Sequence, residues 1–223
     1  MRLFLSLMGI EKIDYKVIFA RFDSLVDGYH LDIMDGVFVT SKTYCVYESY
    51  NLIKTLTIKP IWIHLMTDNP YTDIETLSEL NQTIVSFHVE TYKEIIKTIF
   101  AIQAKKGRAS LAISPKTPIF ALEPFLGQVD HITIMTVNPG ASGQKFIAES
   151  IERIQTLGIL CKTHNTSITI ACDGGINEKN SLNLKQNGVS DIALSSAVFK
   201  HKTVEAQIKA LETLRRHIEQ LKT

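Results

Sequence analysis

The segment "HLDIMDG", residues 30–36, has the alternating pattern of a β-strand that ends in a tight turn. Successive side chains of a strand point to opposite faces, so His30, Asp32 and Met34 share one face and Leu31 and Ile33 share the other. A histidine and an aspartate on one buried face either satisfy each other's hydrogen bonds or belong to a functional site. The segment alone leaves both interpretations open.

Strand-like runs of this kind alternate with helical segments along the whole chain. We predict eight strands, over residues 3–7, 28–34, 60–66, 83–89, 109–113, 131–137, 167–172 and 191–195. Between them, apolar residues recur at spacings of three and four, most clearly over 92–106, 146–162 and 204–222. Thr117 before Pro118 and Asn177 before Glu178 have the pattern of helix N-caps. Repeated βα units are therefore expected.

Eight βα units in a chain of 223 residues favour a TIM (β/α)8 barrel, formed by one domain over residues 1–223. An open doubly wound α/β sheet is the alternative. No low-complexity tract and no linker rich in glycine and serine divides the sequence. In a barrel of this class the functional side chains lie at the carboxyl ends of the strands, which gives a criterion for every polar residue.

The composition is that of a globular chain without a strong charge bias. Hydrophobic residues make up 45%, charged residues 21% and the net charge is +1, which argues against nucleic acid or a membrane surface as partner and favours small molecules. No apolar stretch is long enough to span a bilayer, and the N-terminal apolar run meets Glu11 without a cleavage site, so a cytoplasmic protein is expected. The three cysteines lack CxxC spacing, and we expect buried free thiols.

The strand-end criterion collects polar side chains at one end of the predicted barrel. The collected residues are Ser6, His30, Asp32, His64, His88 and Asp173. Imidazoles and carboxylates together suit a divalent metal such as zinc, manganese or iron, although ligands on separate strands are a weaker signal than a local motif. Met34, Met66 and Met135 recur near the same ends. A buried methionine commonly fills a core, and here we also predict that, with His88, they line the wall of a dry pocket.

Two glycine-rich segments follow the late strands, "NPGASGQ" at 138–144 and "DGG" at 173–175. Glycine lets backbone N–H groups approach a ligand closely, and the loops after the last strands of a barrel commonly hold phosphate. Most such turns only reverse the chain, but these lie beside Asp173. A metal, two carboxylates and a phosphate cradle together indicate proton transfer on a small phosphorylated compound.

Six segments resemble, in order, the motifs of ribulose-phosphate 3-epimerases and the related allulose-6-phosphate 3-epimerases. They are "HLDIMDGVFV", "IHLMTDNP", "FHVET", "SPKTP", "MTVNPGASGQKF" and "DGGI". The resemblance covers nearly the whole chain and implies a TIM barrel that inverts a ketose phosphate at carbon 3. It implies one divalent metal ion (Zn, Mn, Fe, Co or Mg) on His30, Asp32, His64 and Asp173, with Asp32 and Asp173 as the two acid-base groups. It also implies a homodimer or a larger homo-oligomer.

The implied mechanism agrees with the residue types. A proton next to a ketone is too weakly acidic to leave at neutral pH, so a metal is needed to polarise the ketone and stabilise the enediolate. One carboxylate removes the proton from one face, and the other returns a proton to the opposite face. On this hypothesis His30 and Asp32 share a face because both reach one metal, and the methionines exclude water from the intermediate.

Several positions depart from the family pattern, chiefly near the phosphate. The predicted substrate-binding set is Ser6, Gly140, Ser142, Gly143, Gly174, Gly175, Ser195 and Ser196. The usual "FVPN" reads "FVTS" at 38–41, "PGFGGQ" reads "PGASGQ", a glycine-serine step reads Ser195-Ser196, and Leu5 replaces a proline. Ser142 and Ser195 add side chains where close backbone approach is expected, although a hydroxyl can itself donate to a phosphate oxygen.

The sequence leaves the substrate and the activity open. D-ribulose 5-phosphate and the six-carbon D-allulose 6-phosphate differ by one hydroxymethylene unit, which a pocket distinguishes by only ~1–3 kcal/mol. A diverged, non-catalytic sugar-phosphate-binding relative is a second hypothesis, favoured by the altered phosphate loops and opposed by the retained ligands. A third hypothesis is another phosphate-binding barrel activity, such as an aldol-type lyase, which a lysine at a strand end would favour, but Lys59 precedes strand three and Lys116 lies in the loop after strand five.

Overall fold

The computed structural model describes residues 1–91 and 93–219. Eight parallel strands close into a barrel in chain order, which confirms the predicted TIM barrel and excludes the open doubly wound sheet. The strands are β1 (Arg2–Ser6), β2 (Gly28–Met34), β3 (Ile61–Met66), β4 (Thr83–His88), β5 (Arg108–Ile113), β6 (His131–Met135), β7 (Thr169–Asp173) and β8 (Val189–Leu194). Their ends differ from the predicted ends by at most two residues.

In this described part of the chain, α-helices follow seven of the eight strands. They are α1 (Tyr15–Phe22), α2 (Val46–Lys54), α3 (Pro70–Glu75), α4 (Ile95–Ala104), α5 (Ser150–Thr163), α6 (Glu178–Gln186), α7 (Ser196–Phe199) and α8 (Val204–Glu219). The three helical patterns correspond to α4, α5 and α8, and residues 220–222 of the last pattern lie outside the described residues. The boundary of the domain at residue 223 therefore stays a prediction.

The two predicted N-caps have different outcomes. Asn177 caps α6 as predicted, because its side chain accepts the backbone N–H of Lys179 at 2.9 Å while its own N–H donates to the Asn180 side chain at 2.8 Å. The prediction at Thr117 is wrong, since the chain instead forms a 3-10 helix over Ile119–Phe125, after Pro118. Pro124 lies inside that segment and lacks the N–H that an α-helix interior requires.

The core has two parts, one on each face of the barrel wall. Leu31 and Ile33 belong to the large apolar cluster that also contains the buried faces of the helices. A smaller cluster fills the barrel interior and consists of Phe4, Trp62, Ile84, Ala171 and Ala193. The indole N–H of the fully buried Trp62 donates to Ser86 Oγ at 2.7 Å. The alternation along β2 therefore places its apolar pair against the helices and its polar pair inside.

The sequence also predicted that no segment spans a membrane and that the cysteines are buried free thiols. No helix within residues 1–91 and 93–219 is both long and apolar enough to cross a membrane. Cys161 and Cys172 are buried free thiols as expected, whereas Cys45 is exposed. Cys45 differs because it precedes α2 in a surface loop, where it has no neighbouring sheet to cover it.

Candidate active site

The barrel brings the predicted polar residues to one end through its register. Asp32 on β2 lies opposite His64 on β3, and Ser6 at the end of β1 lies opposite His30. Asp173, the last residue of β7, lies opposite Met135 on β6. Ser6 and Asp173 end their strands, and Asp32 and His64 lie two residues before the ends of theirs. His30 lies in the first half of β2 and reaches the same end, which is the functional end of a TIM barrel, through its register with Ser6.

Four of these side chains, His30, Asp32, His64 and Asp173, form a compact group that we call the site cluster. Each offers one ligand atom, and these four atoms lie within 4.8 Å of one another. His64 Nδ1 lies 3.1 Å from Asp173 Oδ2 and 3.4 Å from Asp32 Oδ1. His30 Nδ1 lies 3.1 Å from Asp32 Oδ2. All four residues are buried or nearly so, and their charge is concentrated in a small volume.

The site cluster fits a divalent cation. Among the described residues, the buried His30 Nε2 has no hydrogen-bond partner, although it points toward the cluster and lies 3.8 Å from Asp173 Oδ2. Such an unpaired buried atom is rare in proteins, since leaving it unpaired costs free energy. Two imidazoles and two carboxylates are a donor set that zinc and other first-row divalent metals accept. A cation would supply the missing partner.

The imidazoles and carboxylates of the cluster shift each other's pKa values strongly, because the site is shielded from solvent. Burial by itself lowers the pKa of His64, but the Asp173 and Asp32 carboxylates outweigh it and raise that pKa to about 9. Burial by itself raises the pKa of Asp32, but the His30 and His64 imidazoles outweigh it and hold that pKa below its usual value. The cluster without a metal therefore favours ionised Asp32 and protonated His64.

Hydroxyl groups hold the Asp32 carboxylate and the backbone carbonyls of both aspartates in place. Ser6 Oγ donates to Asp32 Oδ2 at 2.9 Å, and Thr43 Oγ1 donates to the Asp32 carbonyl at 3.1 Å. The N–H and the hydroxyl of Thr136 both donate to the Asp173 carbonyl, at 2.8 and 3.0 Å. Sequence reasoning missed Thr43 and Thr136, because nothing in the local pattern distinguishes them from other loop threonines.

His88 lies behind the cluster rather than on the pocket wall where the sequence placed it. Its fully buried ring lines neither of the two cavities described below, and its Nε2 lies 3.0 Å from His64 Nε2. Its Nδ1 lies 2.9 Å from Glu90 Oε2. Glu90 is a third residue that sequence reasoning missed, although a carboxylate two positions after a strand-end histidine could have indicated it.

A small cavity of ≈ 40 Å³ joins the two carboxylates to the glycine-rich loops. Its lining includes Ser6, Asp32, Met66, Met135, Gly140, Ser142, Gly143, Asp173, Gly174, Gly175, Ser195 and Ser196. Gly174 and Gly175 have positive φ values of +112° and +64°, and a Cβ on them would lie 2.2 Å from Val137 Cγ2 and 2.6 Å from the Phe146 nitrogen. Only glycine fits this cradle without displacing its neighbours.

Two of the serines that depart from the family pattern contact each other. Ser142 Oγ, in the loop after β6, lies 3.0 Å from Ser195 Oγ, in the loop after β8. Ser41, in the altered segment after β2, donates its hydroxyl to the Gly140 carbonyl at 2.7 Å. The altered positions therefore connect neighbouring loops around the cradle.

Met34 lines a larger cavity of ≈ 610 Å³ that shares Asp32 and Ser142 with the small one.

The two lysines considered for a lyase lie away from the site cluster. Lys59 Nζ donates to the Val26 carbonyl at 2.6 Å. Both residues precede their strands, β3 and β2, so this contact is at the opposite end of the barrel. Lys116 is exposed in the loop after β5. Neither lysine belongs to the site cluster, so the lyase hypothesis has no nucleophile there.

Comparisons with known proteins agree with this geometry. Residues 5–199 match the Ribulose-phosphate 3 epimerase family. The chain is 36% identical to a ribulose-phosphate 3-epimerase of Aquifex aeolicus, with 84% of each chain covered, and 31% identical to that of Buchnera aphidicola, with 88% and 89% covered. Among solved structures it resembles 3-hexulose-6-phosphate synthase from Salmonella typhimurium, with a TM-score of 0.70, 14% identity and 99% coverage of each chain. At that identity the structural likeness concerns the fold alone.

Proposed function

The chain belongs to the ribulose-phosphate 3-epimerase family, a family of sugar-phosphate isomerases, and on that premise we propose that it interconverts D-ribulose 5-phosphate and D-xylulose 5-phosphate. The observation that carries the proposal is the site cluster, whose four ligand atoms lie within 4.8 Å of one another beside a glycine cradle. The curated relatives named above are ribulose-phosphate epimerases, which favours the five-carbon substrate.

The proposed metal ligands are His30, Asp32, His64 and Asp173. When bound, a divalent cation polarises the ketone and stabilises the enediolate that forms when the carbon 3 proton leaves. Zn, Mn, Fe, Co and Mg are all candidates, because histidine and carboxylate donors accept several of them.

Asp32 and Asp173 are the proposed acid-base pair. Asp32 comes from β2 and Asp173 from β7, with β1 and β8 between them on one side of the barrel, so the two carboxylates enter the site from different walls. Inversion needs this separation, since one carboxylate must take the proton and the other must return one to the opposite face. The Ser6 hydroxyl, 2.9 Å from Asp32, fixes the orientation of the first carboxylate.

The glycine cradle is the proposed phosphate site. Gly174 and Gly175 leave backbone N–H groups accessible, and Ser142, Ser195 and Ser196 add hydroxyl donors to the same cavity. The buried Met66 and Met135 form the apolar wall between the cradle and the cluster, where they exclude water. The remaining predicted contacts are Gly140 and Gly143, in the loop after β6.

The test is deuterium uptake from heavy water, followed by NMR. Protein reconstituted with a metal is incubated with D-ribulose 5-phosphate and, separately, with D-allulose 6-phosphate. We expect deuterium at carbon 3 of the five-carbon compound, together with its epimer. Faster exchange of the six-carbon compound would reassign the substrate, and no exchange of either would favour the diverged binding protein.

Two variants make the test specific. Asp173→Asn removes a proposed base, and we expect it to abolish exchange. Asp191→Asn is the control, because Asp191 is a buried strand aspartate that pairs with Arg2, the first residue of β1, at the opposite end of the barrel. Assembly as a homo-oligomer, tested by light scattering, and a cytoplasmic location remain predictions.

A further inference from the structure

A row of three side chains runs outward from the site cluster, from the buried His64 and His88 to the half-buried Glu90. We infer that His88 and Glu90 are positioning residues that hold His64 in the tautomer whose Nδ1 lone pair faces the cluster, and that they thereby increase the affinity of the site for its metal. The inference rests on the metal site of the proposed function, but not on the identity of the substrate.

The contacts in this row are short and shielded. His64 Nε2 and His88 Nε2 lie 3.0 Å apart, and both rings are fully buried and stacked with their centroids 5.1 Å apart. His88 Nδ1 lies 2.9 Å from Glu90 Oε2. The Phe38 ring covers His88 with a centroid distance of 4.6 Å. Neither imidazole can therefore replace these partners with bulk water.

Proton placement in the row follows from hydrogen-bond rules. Two imidazole nitrogens at 3.0 Å need one proton between them, since two protons clash and none leaves two lone pairs opposed. Glu90 accepts, so neutral His88 carries its proton on Nδ1 and offers a bare Nε2. His64 must then carry the Nε2 proton. A neutral His64 is left with its lone pair on Nδ1, the atom that lies 3.1 Å from Asp173 Oδ2.

Glu90 is suited to this role because both of its oxygens accept. Oε1 accepts the backbone N–H of Ser114 at 2.8 Å while Oε2 faces His88. Burial by itself raises the pKa of Glu90, but the hydrogen bond and charge of His88, with the hydrogen bonds from Thr117 and the Ser114 N–H, together lower that pKa to about 2, so the side chain stays an acceptor. Ser114 Oγ is a weaker alternative partner, at 3.3 Å from His88 Nδ1.

Glutamine at position 90 would break this arrangement without changing its shape. One of the two positions would carry an NH2 group, which cannot accept. If the NH2 group faced Ser114, it would oppose the backbone N–H. If it faced His88, it would force the proton of His88 onto Nε2, against the Nε2 proton of His64.

The first experiment measures Zn²⁺ affinity by competition with a chromophoric chelator, without any substrate. We expect Glu90→Gln to weaken Zn²⁺ binding by ~10–100-fold, the usual effect of removing an outer partner of a metal ligand. Glu94→Gln is the matched control, since Glu94 pairs with Lys97 at 2.9 Å on the surface, and we expect wild-type affinity. Equal affinity in Glu90→Gln and the control would overturn the inference. Absence of Zn²⁺ binding by the wild-type protein would overturn it together with the metal site, whereas absence of epimerisation alone would not affect it.

The second experiment needs no variant and so does not depend on whether Glu90→Gln folds. Nitrogen-15 NMR of the imidazole rings in the Zn²⁺-loaded wild-type protein identifies the protonated nitrogen of each histidine. We expect the proton on Nδ1 of His88 and on Nε2 of His64. The opposite tautomer of His88 would overturn the inference.

Discussion

The two ends of the barrel each bury a histidine beside an aspartate, yet only one end has the properties of a reactive site. At the amino end we define the floor cluster as Arg2, His131 and Asp191. His131 Nδ1 lies 2.7 Å from Ser110 Oγ and its Nε2 lies 3.2 Å from Asp191 Oδ2. Arg2 donates to both oxygens of Asp191, at 2.8 and 2.6 Å. Each nitrogen of His131 and each oxygen of Asp191 is thus paired.

The site cluster uses the same residue types without satisfying them. His30 Nε2 has no partner among the described residues, and two carboxylates lie close to the same His64 nitrogen. The comparison teaches that a buried histidine and aspartate do not identify a site by themselves. Incomplete hydrogen bonding at the carboxyl ends of the strands does, because that deficit is what a bound cation can fill.

The largest expected difference between the two ends is in reaction rate. Asp32→Asn should reduce carbon 3 exchange by about 10²–10⁴-fold, the usual contribution of a positioned acid-base group. Asp191→Asn should leave the rate per folded molecule within about 2-fold and instead lower the free energy of unfolding by about 1–3 kcal/mol, because Arg2 and His131 lose a charged acceptor. Initial rates and urea unfolding of both variants measure this, and equal rate losses would contradict the comparison.

The second difference concerns how the free energy of unfolding changes with pH in protein that a chelator keeps free of metal. The histidines at the two ends should affect it with opposite signs. The pKa of His64 is raised from 6.5 to about 9, so its contribution is full below pH 6.5 and is lost as the pH rises through about 9. The raised pKa corresponds to a contribution on the order of 3 kcal/mol. Burial lowers the pKa of His131, so its contribution is present above pH 6.5 and is lost as the pH falls below that value.

The midpoints of urea unfolding, measured at a series of pH values from acid to alkaline, separate these two effects. His64→Gln should flatten the alkaline loss of stability, and His131→Gln should flatten part of the acid loss. If both variants changed the same limb of the profile, the assignment of opposite signs would be wrong.

The stabilisation of the protein by a bound metal should depend on the site cluster and not on the floor cluster. Zn²⁺ at 100 times its dissociation constant should raise the free energy of unfolding by about 2.7 kcal/mol, because it binds the folded state alone. Asp173→Asn should lose most of this increment, and Asp191→Asn should keep all of it. Unfolding curves with and without Zn²⁺ measure the increment, and a full increment in Asp173→Asn would place the metal elsewhere.

The smallest expected effect concerns the serine contact in the cradle. Ser142→Gly and Ser195→Gly should each raise KM by ~2–10-fold with little change in kcat, which corresponds to one hydrogen bond to the phosphate. Ser110→Ala, beside His131 in the floor cluster, is the control and should leave KM unchanged while lowering stability. A fall in KM for either glycine variant would mean that the bond between the two hydroxyls competes with the phosphate.

The sequence predicted the barrel and its strands closely, because period-two alternation and the βα repeat are local signals. The strand-end criterion selected Asp32, which lies late in β2, whereas His131 begins β6. His30 and Asp191 are each the third residue of their strands, and only the registers of Ser6 with His30 and of Arg2 with Asp191 assign them to opposite ends. The place of His88 behind His64 could not be predicted, since it depends on how two neighbouring strands stagger inside the barrel. The 3-10 helix at Ile119–Phe125 was missed because the N-cap pattern at Thr117 is a local signal for a helix start and takes no account of Pro124.

Trp62 gives the molecule an optical consequence. It is the single tryptophan of the chain, and its indole lies edge-on between the two ends, with ring centroids 4.6 Å from His30 and 5.6 Å from His131. Indole emission is sensitive to the groups that contact the ring. Intrinsic fluorescence therefore responds without a label to changes beside either histidine, and substitution of one histidine leaves a signal that reports on the other end alone.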